Sequence, residues 1–141
     1  MRSGVTKLAV VFALSGATVI FAQSKPLLTD ADYDKLMKQI GPTFQNLQKD
    51  NSTMNHSQGV KDAQMLSDSF KQVQAYWEAK KADDAVGFAK NAIAMADATV
   101  IASQSMDMAT LGDAQKTLAS TCQSCHTAHR DKLPDGTYKI K

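Results

Sequence analysis

Two thiols and an imidazole stand within five positions near the end of this 141-residue chain, in the run Cys122-Gln123-Ser124-Cys125-His126. A C-x-x-C-H run is the attachment signature of c-type haem. Its two thiols bond covalently to the porphyrin, and its imidazole ligates the iron. On a helix, residues three and four apart share a face, so Cys122, Cys125 and His126 can all turn toward one flat ligand. The run therefore predicts one covalent haem c, with His126 as the proximal iron ligand.

Two other kinds of site use paired cysteines. A redox disulfide of the thioredoxin kind stands at a strand-to-helix junction of a βαβ unit, and no strand pattern precedes Cys122. A structural zinc site needs four ligands in a tetrahedron. His129 could add a ligand, but ligands crowded along two helical turns converge poorly, and Cys122 and Cys125 are the only cysteines. Haem attachment is favoured over both alternatives.

An apolar stretch near the N-terminus favours export. Arg2 and Lys7 precede the largely apolar residues 8–21, and Ala22 offers a small residue for cleavage. The stretch is short and polar residues follow at once, which is typical of a secretory signal peptide rather than a membrane span. We expect a leader over residues 1–22 and a soluble, periplasmic domain over residues 23–141, without stable membrane insertion after cleavage. An uncleaved anchor is the alternative.

The charge balance excludes one class of partner. The chain carries 16 basic and 14 acidic side chains, and two of the basic ones lie in the predicted leader, so the expected mature chain is formally neutral. Nucleic-acid binding needs a concentrated basic face, and we expect none. The length is that of one domain. A domain this small buries a modest core, to which a tethered haem would add substantially.

Apolar residues recur at three- and four-residue intervals in four segments, which predicts helices. The first is expected to begin at Thr29 or Asp30 and to kink at Pro42. The second spans about residues 57–81, and either Asp83 or Asp84 could cap the third. In the fourth, the inward stripe of Leu111, Ala114 and Leu118 continues to Cys122 and Cys125.

Four helices joined by short connections make an all-α, antiparallel four-helix bundle, in which cofactors lie between facing helices. The haem is therefore expected inside the bundle. No strand pattern is convincing. Residues 133–141 begin with a turn signal, and they are expected either to fold back over one end of the bundle or to fray.

With C-x-x-C-H on the last of four helices, the chain resembles the class II c-type cytochromes, the cytochrome c′ and cytochrome c-556 group. Arg130 stands four residues after His126, where the family carries a basic residue, and Met37-Lys38-Gln39-Ile40-Gly41 matches a Met-Lys-x-x-Gly stretch of the family's first helix. His129 departs from the family, which has an aromatic residue there. The resemblance implies a monohaem protein that is not an enzyme, with a homodimer through the first two helices.

The residue opposite His126 decides the function. A Met thioether raises the reduction potential and suits electron transfer, whereas an unligated face leaves iron open to small gases. The resemblance implies that Met37 lies at the distal face, so Met37 is expected as the sixth ligand, although a Met at helical spacing is ordinarily core. His56 is a weaker alternative, and His129 is expected to pack near the porphyrin edge without binding iron.

The remaining charges bear on anchoring and partners. Arg130 is expected to pair with a haem propionate or shield the proximal side, with a solvated charge as the alternative. A basic end near the haem could guide an acidic redox protein; it consists of Lys132, Lys139 and Lys141. The sequence thus predicts a periplasmic electron carrier, with a five-coordinate protein that binds nitric oxide as the alternative. A haem subunit of a larger enzyme is a third, weaker interpretation.

Overall fold

The computed structural model describes residues 27–141. The predicted leader and the first residues of the expected mature chain lie outside them. The described chain consists of four helices followed by a small hairpin: α1 Asp30–Ser52, α2 His56–Lys80, α3 Asp83–Ser105, α4 Met108–His129, β1 Arg130–Lys132 and β2 Tyr138–Ile140. The predicted all-α bundle is confirmed at the level of four helices.

Two helix starts follow from side-chain caps. The Thr29 hydroxyl accepts a hydrogen bond from the backbone N–H of Asp32, so α1 begins at the predicted residue. The Asp107 carboxylate accepts from the N–H of Thr110 and starts α4 in the same way. Each cap satisfies a donor that the helix cannot. The predicted cap of α3 is wrong, because Ala82 precedes that helix and no side chain caps it.

Contacts between the ends of the helices fix their directions. The Tyr76 hydroxyl, near the end of α2, donates to Asp30 at the start of α1 at 2.8 Å. Likewise His129, at the end of α4, lies 2.9 Å from Asp84 at the start of α3. Helices α1 and α2 are therefore antiparallel, as are α3 and α4. Because Ser103 near the end of α3 donates to Asn51 near the end of α1, α3 runs parallel to α1 and antiparallel to α2, as predicted. Helix α1 runs unbroken through Pro42, and the kink there stays a prediction.

The bundle is open along one side. Helix α1 packs on α2, α2 on α3, and α3 on α4, whereas α1 and α4 make few or no close backbone approaches. The core lies between the four helices, where Leu47 of α1, Leu66 of α2 and Leu118 of α4 are fully buried. The gap between α1 and α4 is called the seam below.

The C-terminal hairpin was missed by the sequence analysis. Strands β1 and β2 pair antiparallel, with Arg130 opposite Ile140 and Lys132 opposite Tyr138. Gly136 closes the turn with a φ of 84°, which a residue without Cβ adopts at low cost. Three-residue strands are too short to show an alternating pattern. Of the two expectations for the tail, folding back is the one observed.

One helix among the described residues, α3, is long and apolar enough to cross a membrane by length and composition. It packs between α2 and α4. Four of its alanines lie in the hydrophobic core, as expected of the inner helix of a bundle: Ala85, Ala89, Ala92 and Ala96.

Candidate functional site

The C-x-x-C-H run occupies the last turns of α4. Cys122, Cys125 and His126 are half-buried and share one helical face, as their spacing predicts. The residue of this turn that enters the core is Thr121, whose hydroxyl accepts a hydrogen bond from Asn91 of α3 at 2.9 Å. Cys122 also packs against the edge of the hydrophobic core, so the inward stripe of α4 continues into the C-x-x-C-H run.

The seam encloses a cleft with two lobes. The larger lobe has a volume of about 540 Å³, and the smaller one about 250 Å³. Four residues line both: Met37 from α1 and, from α4 and the first residue after it, Cys125, His126 and Arg130. The sequence predicted each of these four for the haem site. The structure brings them together around one cleft, with Cys122 in the wall of the smaller lobe.

The cleft fits a flat, largely apolar group tethered at one edge. Both lobes lie close to the size range of ordinary ligand pockets, which are apolar with a few placed polar groups. The smaller lobe is walled mainly by aromatic and aliphatic side chains, among them Phe44, Phe70, Val73 and Phe88. At Gly41 an added Cβ would meet nothing within 4 Å, so space is open where the lobe borders α1. The donor set and this space together fit a haem.

Burial keeps the two thiols protonated. It raises the pKa of Cys122, and it raises the pKa of Cys125 to about 11, with smaller contributions from Cys122 and Asp84. A reactive redox cysteine needs a lowered pKa, which a helix N-terminus or nearby cation provides. Here the pair lies at the carboxyl end of a helix, where the dipole disfavours a thiolate. A thioredoxin-like role is therefore disfavoured.

Among the described residues, His, Cys, Asp and Glu side chains build no site for a bare metal ion. No group of three or more His, Cys, Asp or Glu residues converges within residues 27–141. This disfavours the zinc alternative, in which His129 would join the cysteines. An axial ligand of a haem iron needs no such group, and iron binding by His126 stays a prediction.

The surroundings of His126 favour the neutral imidazole. Burial lowers its pKa, and the nearby Arg130 charge adds to that effect. A neutral imidazole is the form that binds a metal. The Arg130 guanidinium itself lies over the ring of Tyr138, 3.9 Å from its centroid. Arg130 thus borders the cleft as expected, held by a hairpin residue that the sequence analysis did not connect to it.

His129 is held away from any ligand role. Its Nε2 lies 2.9 Å from the Asp84 carboxylate, and its ring packs on Trp77 with centroids 4.9 Å apart. Trp77 in turn contacts Tyr33 and Tyr76 edge to face, and those two tyrosines stack at 4.1 Å. The rings of Tyr33, Trp77 and His129 line the larger lobe, and Tyr76 packs behind them. The sequence analysis did not connect these rings.

Of the two candidate sixth ligands, Met37 and His56, the structure places only Met37 at the cleft. Met37 is half-buried and lines both lobes from α1, across the seam from His126. His56 begins α2, whereas the cleft meets α2 at Phe70, Val73 and Trp77, between 14 and 21 residues later. At 1.5 Å per residue these positions are about 20–30 Å from His56. The geometry therefore disfavours iron ligation by His56.

Comparison with known proteins returned no match: no family model, no curated protein and no solved structure is similar to this chain. The class that the fold defines is a four-helix bundle with a cleft along one open seam.

Proposed function

We propose that this protein is an exported, monohaem c-type cytochrome of the class II kind, which carries electrons between other redox proteins. The observation that carries the proposal is the convergence of Cys125 and His126 from α4 with Met37 from α1 on one cleft. These residue types were selected from the sequence without knowledge of the cleft. Export, the periplasmic location and a homodimer belong to the same proposal and rest on the sequence alone.

The tether would be formed by Cys122 and Cys125. Their thiols are half-buried and protonated, three residues apart on the face that borders the cleft. His126 would hold the proximal side with its neutral imidazole, and Met37 would supply a thioether from the facing helix. A haem bound there supplies a one-electron Fe(III)/Fe(II) couple, whose potential a Met ligand raises.

The walls of the cleft would exclude water from the tethered group. Phe44, Phe70 and Phe88 form an apolar side in the smaller lobe, and Trp77 and Tyr33 close the larger one. Ile140 and Tyr138 of the hairpin cover part of the opening. The low polarity of these walls would favour the less charged redox state of a haem held in the cleft. Lys38, Arg130 and Lys139 line the larger lobe and are the cations available there to haem carboxylates.

The proposal is tested by the absorption spectrum of the protein matured in a host that attaches haem c. We expect covalent haem that acid acetone does not extract, a low-spin ferric spectrum, and the weak band in the far red that marks Fe–S(Met) bonding. Met37→Ala should remove that band. Cys122→Ser/Cys125→Ser should leave the haem extractable. Met65→Ala, at an exposed position of α2 outside the cleft, is the matched control and should change neither property.

A second function is favoured by one specific observation. The smaller lobe beside Met37 is almost entirely apolar and is open at Gly41, so a small gas could occupy it if the thioether does not ligate. A high-spin ferric spectrum that Met37→Ala leaves unchanged would replace electron carriage by binding of nitric oxide or another small gas. A colourless matured protein would end both proposals.

A further inference from the structure

The C-terminal hairpin, residues 130–141, borders one lobe of the cleft. Tyr138, Lys139 and Ile140 of β2 line the larger lobe, together with Arg130 of β1. Among the described residues, the smaller lobe is lined by the four helices and Arg130. A movement of β2 would therefore change the wall of the larger lobe and leave most of the smaller one in place.

The hairpin is held to the helices by few contacts. The Lys141 backbone N–H donates to the carbonyl oxygen of His129 at 3.1 Å, and the Lys141 ammonium donates to that of Thr127 at 2.9 Å. Of the hairpin residues, all of which the structure describes, only Ile140 packs against the hydrophobic core, and it is half-buried. Strand β2 makes few or no close backbone approaches to any helix. Ile140 and Lys141 thus provide the observed attachment of the second strand to the bundle.

Contacts within the hairpin are more numerous, so it can move as one unit. The two strands pair over three residues each. The Arg130 guanidinium of β1 lies 3.9 Å from the centre of the Tyr138 ring of β2. Lys141 forms an ion pair with Asp131 at 3.6 Å. These contacts hold β1 and β2 to each other and do not involve the helices.

The junction between α4 and the hairpin can serve as a hinge, because a hinge is commonly a residue at the end of an element. Helix α4 ends at His129, and Arg130 is extended, with a φ of −134° and a ψ of 128°. His129 itself is fixed on the bundle by Asp84 and by the ring of Trp77. Rotation about the Arg130 backbone would carry the hairpin away while α4 stays in place.

The hairpin should open at a lower free energy than the bundle. An isolated two-stranded hairpin is marginally stable at best in water, and a segment with few buried apolar contacts opens before the core does. The fully buried leucines lie on the helices. We propose that the hairpin is a lid, which opens about Arg130 to give access to the larger lobe while the four helices stay folded. This inference does not depend on the proposed haem, because the chain alone places the hairpin at this lobe.

Native-state hydrogen exchange tests whether the hairpin opens separately from the helices. It is measured on the full chain, with its haem if one is attached, at the hydrogen-bonded amides of Leu133, Gly136 and Lys141. We expect these amides to exchange at least about a hundredfold faster than the amide of Leu66 in the buried part of α2. A single rate for all four amides would mean that the hairpin opens only when the bundle unfolds, and would overturn the proposal.

A substitution at the attachment point should open the lid more often. Ile140→Lys removes the apolar contact and places a second cation directly opposite Arg130, where like charges are destabilising. Exchange of the hairpin amides should become about tenfold faster, with no change at Leu66. Ile101→Lys is the matched control, because Ile101 is exposed on α3. Equal hairpin rates in the two variants would contradict attachment through Ile140 and overturn the lid.

Trp77 reports whether the opening reaches the larger lobe. It is the only tryptophan of the chain, it is buried, and it lines the larger lobe but not the smaller one. In the haem-free chain, acrylamide should quench its fluorescence more strongly in Tyr138→Lys/Ile140→Lys than in the control Met65→Lys/Ile101→Lys. Far-ultraviolet circular dichroism checks that both variants keep their helices. Fast hairpin exchange with equal quenching in the two variants would show that the hairpin does not close the lobe. If either variant does not fold, the exchange rates of the wild-type protein decide.

Discussion

The indole N–H of Trp77 donates to the hydroxyl of Tyr33 at 3.0 Å, and both side chains are buried. This hydrogen bond joins α2 to α1 directly beside the larger lobe. Burial raises the pKa of Tyr33 well above its ordinary value, so the hydroxyl stays neutral and accepts this bond at any ordinary pH. The wall of the cleft is therefore held by a polar contact inside an apolar cluster.

Removing both partners of this pair should cost less than the sum of the costs of removing each one alone. Tyr33→Phe leaves the Trp77 N–H without an acceptor, and we expect it to lower the free energy of unfolding by about 1–3 kcal/mol. Trp77→Phe removes the donor and also part of the ring. The double variant should lose less than the sum of the two single losses. Urea denaturation of all four proteins measures this, and strict additivity would contradict the coupling.

Gly59 should tolerate no side chain. A Cβ at this position would collide with the amide of Asn51, which is 4% exposed and cannot move aside freely. Gly59→Ala should therefore destabilise the protein by about 1–3 kcal/mol, the usual cost of overpacking. Gly87→Ala is the matched control, because a Cβ there meets nothing within 4 Å. That change should stabilise α3 by about 0.5–1 kcal/mol. Thermal unfolding separates the two; equal shifts would be contrary to the packing argument.

Filling the smaller lobe should affect the cofactor and not the fold. Gly41 lines this lobe, and Gly112 lines neither lobe; both lie within helices next to open space. Leu favours a helix over Gly by about 1 kcal/mol, so neither Gly41→Leu nor Gly112→Leu should destabilise the bundle. Only Gly41→Leu should lower the haem content of the matured protein. The pyridine haemochrome assay measures this, and an unchanged content would mean that the smaller lobe is not used.

Asp30 should make the stability of the fold depend on pH in the acidic range. Hydrogen bonds from Lys80 and then Tyr76 lower its pKa below the ordinary 3.8. The unfolded chain therefore binds a proton at higher pH than the folded one. The stabilisation that Asp30 contributes is fully present above the pKa of Asp30 in the unfolded chain. It is lost as the pH falls through the pKa of Asp30 in the folded protein. Melting temperatures of the wild-type protein should fall more steeply below about pH 4 than those of Asp30→Asn. Parallel curves would contradict this assignment.

The sequence predicted the helices well because their signals are local. Thr29 and Asp107 stand at helix starts as good caps, and the three- and four-residue spacing of apolar residues fixes the inward faces. Ala82 shows the limit of such signals, since a helix can begin without a side-chain cap when its neighbours pack firmly. The prediction of the second helix differs from α2 by one residue at each end.

The cleft could be predicted only in part. The C-x-x-C-H run predicts the residues that α4 contributes, and the family resemblance predicts Met37. The position of the seam, however, depends on which pairs of helices do not pack against each other. That is a property of four helices together, with no signature in any one segment. The same holds for Tyr138 and Ile140, which reach the cleft through a hairpin of two three-residue strands. The bond between Asp84 and His129 joins residues 45 positions apart, a separation that no local pattern encodes.

The three lateral interfaces α1–α2, α2–α3 and α3–α4 hold the bundle together, with few or no close backbone approaches between α1 and α4. Under the proposed function, folding of the chain and attachment of the haem would then be separate events in time, and an attachment enzyme would act on a nearly complete bundle. We expect the apoprotein to give a strongly helical far-ultraviolet circular dichroism spectrum, and a coil-like spectrum would contradict that order of assembly.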